Sequence, residues 1–115
     1  MDMTINSPTE EISIIQMHGK FTIEDVNLFK EKTAPLVKDP VKTILVNFVD
    51  LKYIDSSGIG ALILLMNTAK NLNVDLILYN IQKEIQSIFK IAYLDKFFHI
   101  NTAQELKKLH PGLTL

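Results

Sequence analysis

The segment Thr43 to Val49, read Thr-Ile-Leu-Val-Asn-Phe-Val, is almost unbroken in apolar residues. A strand with one face in water alternates apolar and polar positions, whereas one buried on both faces does not. Thr43–Val49 therefore predicts a strand in the middle of a sheet covered by helices on both sides. That one requirement selects an α/β architecture, because helices are what usually cover both faces of a parallel sheet.

The flanking sequence supplies those helices. Met3–Asn6 and the β-branched run Ile12–Met17, ending at Gly19, read as two strands joined by the turn chemistry of Ser7-Pro8-Thr9-Glu10. Thr22 is placed to cap a first helix, with Asp25 as an imperfect capping box and Val26, Phe29 and Leu36 on one broad face. Pro35 and Pro40 bracket its end. A second helix is expected from about Ser57 to Asn71, closed by Asn71 or Asn73 in left-handed geometry. Asp75–Tyr79 reads as the next strand, Gln82–Ile91 as a helix with Ile85, Ile88 and Phe89 inward, and Phe97–Ile100 as a short strand. A last helix starts at Asn101 or Thr102, with Glu105 completing a capping box and Leu106 and Leu109 as its apolar residues. Pro111-Gly112 ends it. The order β-β-α-β-α-β-α-β-α predicts one domain over residues 1–115, with a mixed, mostly parallel sheet of about four to five strands flanked by about four helices.

Charge and composition exclude several roles. Twelve basic and 13 acidic residues leave a net charge of −1, which gives nucleic acid or an anionic membrane no basic surface to hold. The chain has no cysteine, so disulfides, thiolate metal sites and a thiol nucleophile are excluded. The stretch Ile59–Met66 is too short to cross a bilayer, so no direct membrane insertion is expected. The N-terminus lacks the basic start and apolar core of a signal peptide, so a cytoplasmic location is expected. His18, His99 and His110 are scattered and form no metal-ligand spacing.

The most informative stretch is the exit from the central strand, Asp55-Ser56-Ser57-Gly58-Ile59-Gly60. Three consecutive residues there are good N-caps, where one suffices. Two glycines follow in a helix's first turns, where they weaken it. They also remove side chains, so that another backbone or a phosphate can come close. The helix behind carries one apolar stripe at Ile59, Leu62, Ile63 and Met66, and a second at Ala61, Leu64, Leu65 and Thr68. One stripe is enough to pack on a sheet. The second either packs on neighbouring helices or remains exposed near the serines as a contact patch. A serine hydrolase elbow needs Gly-x-Ser-x-Gly, and no glycine lies two residues before either serine. Gly58-x-Gly60 lacks the third glycine of a dinucleotide fingerprint and there is no Gly-Lys-Ser/Thr, which leaves only weak phosphate contact at the helix start open.

Asp55-Ser56-Ser57-Gly58-Ile59-Gly60, after an apolar strand and Asp50-Leu51, resembles the signature of STAS domains, and specifically of bacterial anti-sigma factor antagonists. The resemblance covers nearly the whole chain, including Gly19, Thr43–Val49 and the stretch Ile88-Phe89…Leu94…Phe97-Phe98. It implies a non-enzymatic, cofactor-free protein whose phosphoacceptor is Ser56. It implies two partners, an anti-sigma factor that is also a serine kinase and a serine phosphatase. The contact residues expected are Asp55, Ser56, Ser57, Gly58, Ile59, Gly60, Leu64 and Leu65, with Glu24, Asp25 and Asn27 as a rim. A phosphate on Ser56 would add charge beside Asp55 and near Asp50. Within the same family, an unphosphorylated scaffold or a regulatory subunit of a multiprotein or transporter complex is the alternative, and a weak homodimer stays open. Two positions depart from the family pattern. Where it usually has Asp after Gly19, the run Lys20-Phe21-Thr22 places Thr22. Where it usually has glycine after the second helix, Asn71 and Asn73 stand.

Overall fold

The computed structural model describes residues 1–115. Five strands form one sheet in the order β1-β2-β3-β4-β5: β1 Asp2–Asn6, β2 Ile12–Phe21, β3 Thr43–Ile54, β4 Asp75–Tyr79 and β5 His99–Ile100. β1 runs antiparallel to β2, and every other pairing is parallel. The apolar run expected to be central is the middle strand, with Ile44 through Phe48 all buried.

Alternation along β3 divides the interior in two. Ile44, Val46 and Phe48 point into a core shared with Phe29 of α1 (Val26–Thr33), Leu62, Leu65 and Met66 of α2 (Ser56–Asn71), and Ile85 and Phe89 of α3 (Lys83–Ile91). Leu45, with Ile77 and Tyr79 of β4, points the other way, onto Leu106 of α4 (Ala103–Leu109). Three helices on one face and one on the other account for the apolar character of both sides of β3.

Several boundaries differ from those expected, each for a local reason. β3 continues to Ile54, five residues beyond Val49, because β2 stays paired with it as far as Phe21↔Ile54. The first helix is in three pieces. A 3₁₀ turn at Ile23–Asp25 precedes α1, and another at Ala34–Leu36 follows it, with Pro35 in that turn's opening residues. α2 begins at Ser56, capped by Asp55, not at Ser57. At its far end Asn71 is the last helical residue, and Asn73 alone takes the left-handed conformation, with φ 59°. Phe97 lies in a turn, so the last strand keeps only His99 and Ile100. Ile88 lies at the surface, one step round α3 from the buried stripe of Ile85 and Phe89, and Leu109 is likewise exposed.

Candidate functional site

The β2–β3 pairing outlasts its neighbours. β4 accompanies β3 only as far as Asn47↔Tyr79, and β1 accompanies β2 only as far as Asp2↔His18. Beyond those points β2 and β3 continue as a two-stranded arm to Phe21 and Ile54. The turn Asp55-Ser56-Ser57-Gly58 sits at the end of that arm, where β3 hands over to α2.

Asp55 organises the turn. Its backbone is extended (φ −97°, ψ −179°), as an N-cap requires. Its Oδ1 accepts the N–H of Gly58 at 2.9 Å, satisfying one of the helix's unpartnered first amides. Its Oδ2 accepts the N–H of Ile23 at 3.2 Å, in the turn after β2. The Asp55 N–H in turn donates to the carbonyl of Phe21 at 3.1 Å. One residue therefore fixes the start of α2 against the β2–α1 connection.

Thr22, standing at the family's usual Asp position, does not leave that connection without an acid. The carboxylate of Asp25 folds back over it, and Oδ2 accepts both the Thr22 N–H at 3.0 Å and the Thr22 hydroxyl at 3.2 Å. Oδ1 of the same side chain accepts from the amino group of Met1 at 3.1 Å. The Thr22 N–H is the main reason that the Asp25 carboxyl is held below its ordinary pKa. Asp25 is thus spent within its own turn and, with 14% side-chain exposure, is not the open rim residue expected. Glu24 and Asn27 are exposed as expected.

The expected contact residues separate into two groups. Ser56 and Gly60 are exposed, Ser57 and Ile59 are half-buried, and Leu64 is 50% exposed. Leu65 is 6% exposed and belongs to the core, reaching the surface only as part of the lining of a groove beside α1. The glycines differ in the same way. A Cβ at Gly58 would lie 2.8 Å from Ile54 Cγ1 and from the Phe21 carbonyl oxygen, so this glycine lets the domain's own arm approach the helix. At Gly60 an added Cβ meets nothing within 4 Å. Asp50 is engaged by β2, where Gln16 Nε2 donates to its Oδ2 at 2.9 Å and His18 Nδ1 lies 3.2 Å from the same oxygen.

Ile23 was not foreseen. It contributes its N–H to the Asp55 clasp and keeps a side chain that is 65% exposed. Nothing in apolar periodicity marks it, since it lies between the arm and α1. A β-branched residue directly after a capping threonine was the one available signal. No three His, Asp or Glu side chains converge where they could hold a metal ion, and no helix is long and apolar enough to cross a membrane.

Known proteins resemble this chain in sequence and in fold. The anti-sigma-B factor antagonist of Staphylococcus aureus (strain NCTC 8325 / PS 47) is 26% identical over 111 residues, covering 93% of this chain and 100% of that protein. The anti-sigma factor antagonist SpoIIAA in its unphosphorylated form superimposes with a TM-score of 0.73 at 22% identity, over 97% of this chain and 100% of that one. The Bacillus cell fate determinant SpoIIAA in its phosphorylated form does so with 0.72 at 23% identity, over 93% and 97%. The STAS domain family matches residues 5–108, so nearly the whole chain, arm, turn and helices included, is accounted for by one family, and the protein belongs to it.

Proposed function

We propose that this protein is an anti-sigma factor antagonist in the cytoplasm. It docks, through the turn at Ser56, on an anti-sigma factor that is also a serine kinase. Phosphorylation of Ser56 ends the docking, and a serine phosphatase restores it. The protein itself performs no catalysis.

The observation that carries this reading is the position of Ser56. It is the first residue of α2, exposed at the tip of the arm, next to a carboxylate already committed to two backbone amides. A phosphate adds about −1.5 to −2 charges at neutral pH. The domain tolerates an anion there, because the positive end of the helix dipole lies beneath it. A partner pressed against the same turn would have to desolvate that charge beside Asp55, which is costly. One modification can thus end an interaction without unfolding the domain. The names of the relatives, and the phosphorylated form known for the Bacillus protein, favour the same reading.

The test compares wild type, Ser56→Ala and Ser56→Asp in pull-downs of the anti-sigma factor. Wild type and Ser56→Ala should retain it and Ser56→Asp should lose it. Equal retention by all three overturns the proposal. Phosphopeptide mass spectrometry on cells should find the phosphate on Ser56; a constitutive scaffold would never carry it.

A further inference from the structure

A groove runs between α1 and α2 and is not part of the turn. Its volume is about 300 Å³, and its floor is formed by buried Phe29 and Leu65, with Val37 and half-exposed Leu64 above them. That is room for about ten waters, or for the side chains that displace them. Two threonines line it, and both hydroxyls are already used. Thr33 Oγ1 donates to the Phe29 carbonyl at 2.8 Å and Thr68 Oγ1 to the Leu64 carbonyl at 2.9 Å. The groove therefore asks for apolar groups. Lys30 is the single charged residue in its lining.

The groove is continuous with the phosphoacceptor. Ser56, Gly60, Leu64 and Thr68 are all exposed and are spaced by four along α2. Residues so spaced share one face, and the rise from Ser56 to Leu64 is about 12 Å. Gly60 lies between the serine and the groove. Glycine in a helix costs about 1 kcal/mol relative to alanine. At Gly58 that cost is explained by the arm packed against it; at Gly60 nothing inside the domain needs the small residue. Bare backbone on the outward face, midway between the serine and an apolar groove, is what a partner lying along both would require.

We propose that the groove between α1 and α2 is the second half of the partner surface. It takes apolar side chains of the same protein that docks at Ser56, with a carboxylate of that protein beside Lys30. This inference rests on the docking function proposed for Ser56. It gives the two halves different tasks, since burial in the groove supplies affinity while the turn alone senses phosphate.

The experiment is calorimetric titration of the purified anti-sigma factor of the same organism with wild type, Ser56→Asp, Leu64→Glu, Lys30→Glu and Gly60→Gln. Circular dichroism melting serves as the control for folding. Leu64→Glu should bind at least about tenfold more weakly with its melting temperature nearly unchanged, because Leu64 is half exposed. Gly60→Gln should weaken binding in the same way. Lys30→Glu should weaken it at low salt, and the difference should shrink as salt screens the pair. If Leu64→Glu proves unstable, Gly60→Gln and Lys30→Glu decide. Wild-type affinity in the groove variants together with loss of binding in Ser56→Asp would overturn the groove and leave the turn as the whole site. Equal binding by Ser56→Asp and wild type would overturn the phosphate-sensing role of the turn and leave the groove to be judged by its own variants, whereas no binding by wild type would remove the underlying docking role, and the groove assignment with it. A dimer in sedimentation that Leu64→Glu dissolves would instead make a second copy of this chain the occupant, and overturns the assignment to the partner.

Discussion

The carboxylate of Asp55 holds Ile23, 32 residues earlier in the chain, by its backbone N–H at 3.2 Å, while its other oxygen caps α2 at Gly58. One side chain thus joins two segments that the sheet does not pair. Replacing it by alanine removes a cap and leaves both amides without their acceptor. Asp55→Ala should lower stability by about 1–2 kcal/mol, read as a lower urea midpoint with unchanged slope. Asp55→Asn, which keeps one good acceptor oxygen, should lose less.

The two glycines of the turn should respond oppositely to alanine. At Gly58 a methyl group collides with the Phe21 carbonyl oxygen and Ile54, and backbone cannot swing aside as a flexible side chain can. Gly58→Ala should cost about 1–3 kcal/mol. Gly60→Ala meets open space and removes glycine's entropic handicap in a helix, so it should raise stability by about 0.5–1 kcal/mol. Thermal melts of the pair measure both. A destabilised Gly60→Ala would mean that the outward face of α2 is packed against the domain.

Leu64 and Leu65 are adjacent in sequence and opposite in environment. Leu65→Ala leaves a cavity in the main core, and a loss of about 2–4 kcal/mol is expected. Leu64→Ala removes a half-exposed side chain and should cost under about 1 kcal/mol. Chemical denaturation of both variants checks the order, and the reverse order would place the groove on the wrong side of α2.

Acid should loosen the β2–α1 connection. The Asp25 carboxyl is held below its ordinary value, chiefly by the Thr22 N–H, so its folded-state pKa is lower than its unfolded one. A depressed carboxyl contributes stability that is complete above the unfolded pKa of about 3.9 and is lost as pH falls through the lower folded value. Glu105 is shifted in the same direction, mainly by the N–H of Thr102, and adds to the same slope. Asp25→Asn should therefore be less stable than wild type at neutral pH, and the gap should close as the pH drops below about 4. Urea midpoints measured across that range test it; a gap independent of pH would exclude the carboxylate as its source.

Much of this molecule was legible from residue order alone. The nearly unbroken apolar run at Ile44–Phe48, interrupted only by Asn47, called for a central strand, and it is the middle strand. The turn at Asp55–Gly58 was legible because three caps and two glycines in six residues exceed what a helix start needs. What stayed hidden depends on which way a side chain points when two layers meet. Leu64 and Leu65 are equivalent in composition and differ only by a 100° rotation about α2, which places one over α1 and the other in the core. Gly58 and Gly60 are equally permissive in isolation. Only the path of the arm past Phe21 tells them apart. The role of Asp25 could be foreseen as half of a capping box, but not that it would return a carboxylate to the position where Thr22 stands.

The two-stranded arm also sets how tightly this end of the molecule is held. Amides of Ile44–Val46 lie in a strand flanked by neighbours on both sides, whereas those from Leu51 to Ile54 have β2 alone. Local opening is easiest where a strand has fewest partners. Hydrogen exchange should therefore be faster along Leu51–Ile54 than along Ile44–Val46. Ser56 therefore follows the end of β3 that is held by one strand partner instead of two, so fraying of the arm would reach it before it reached the middle of the sheet.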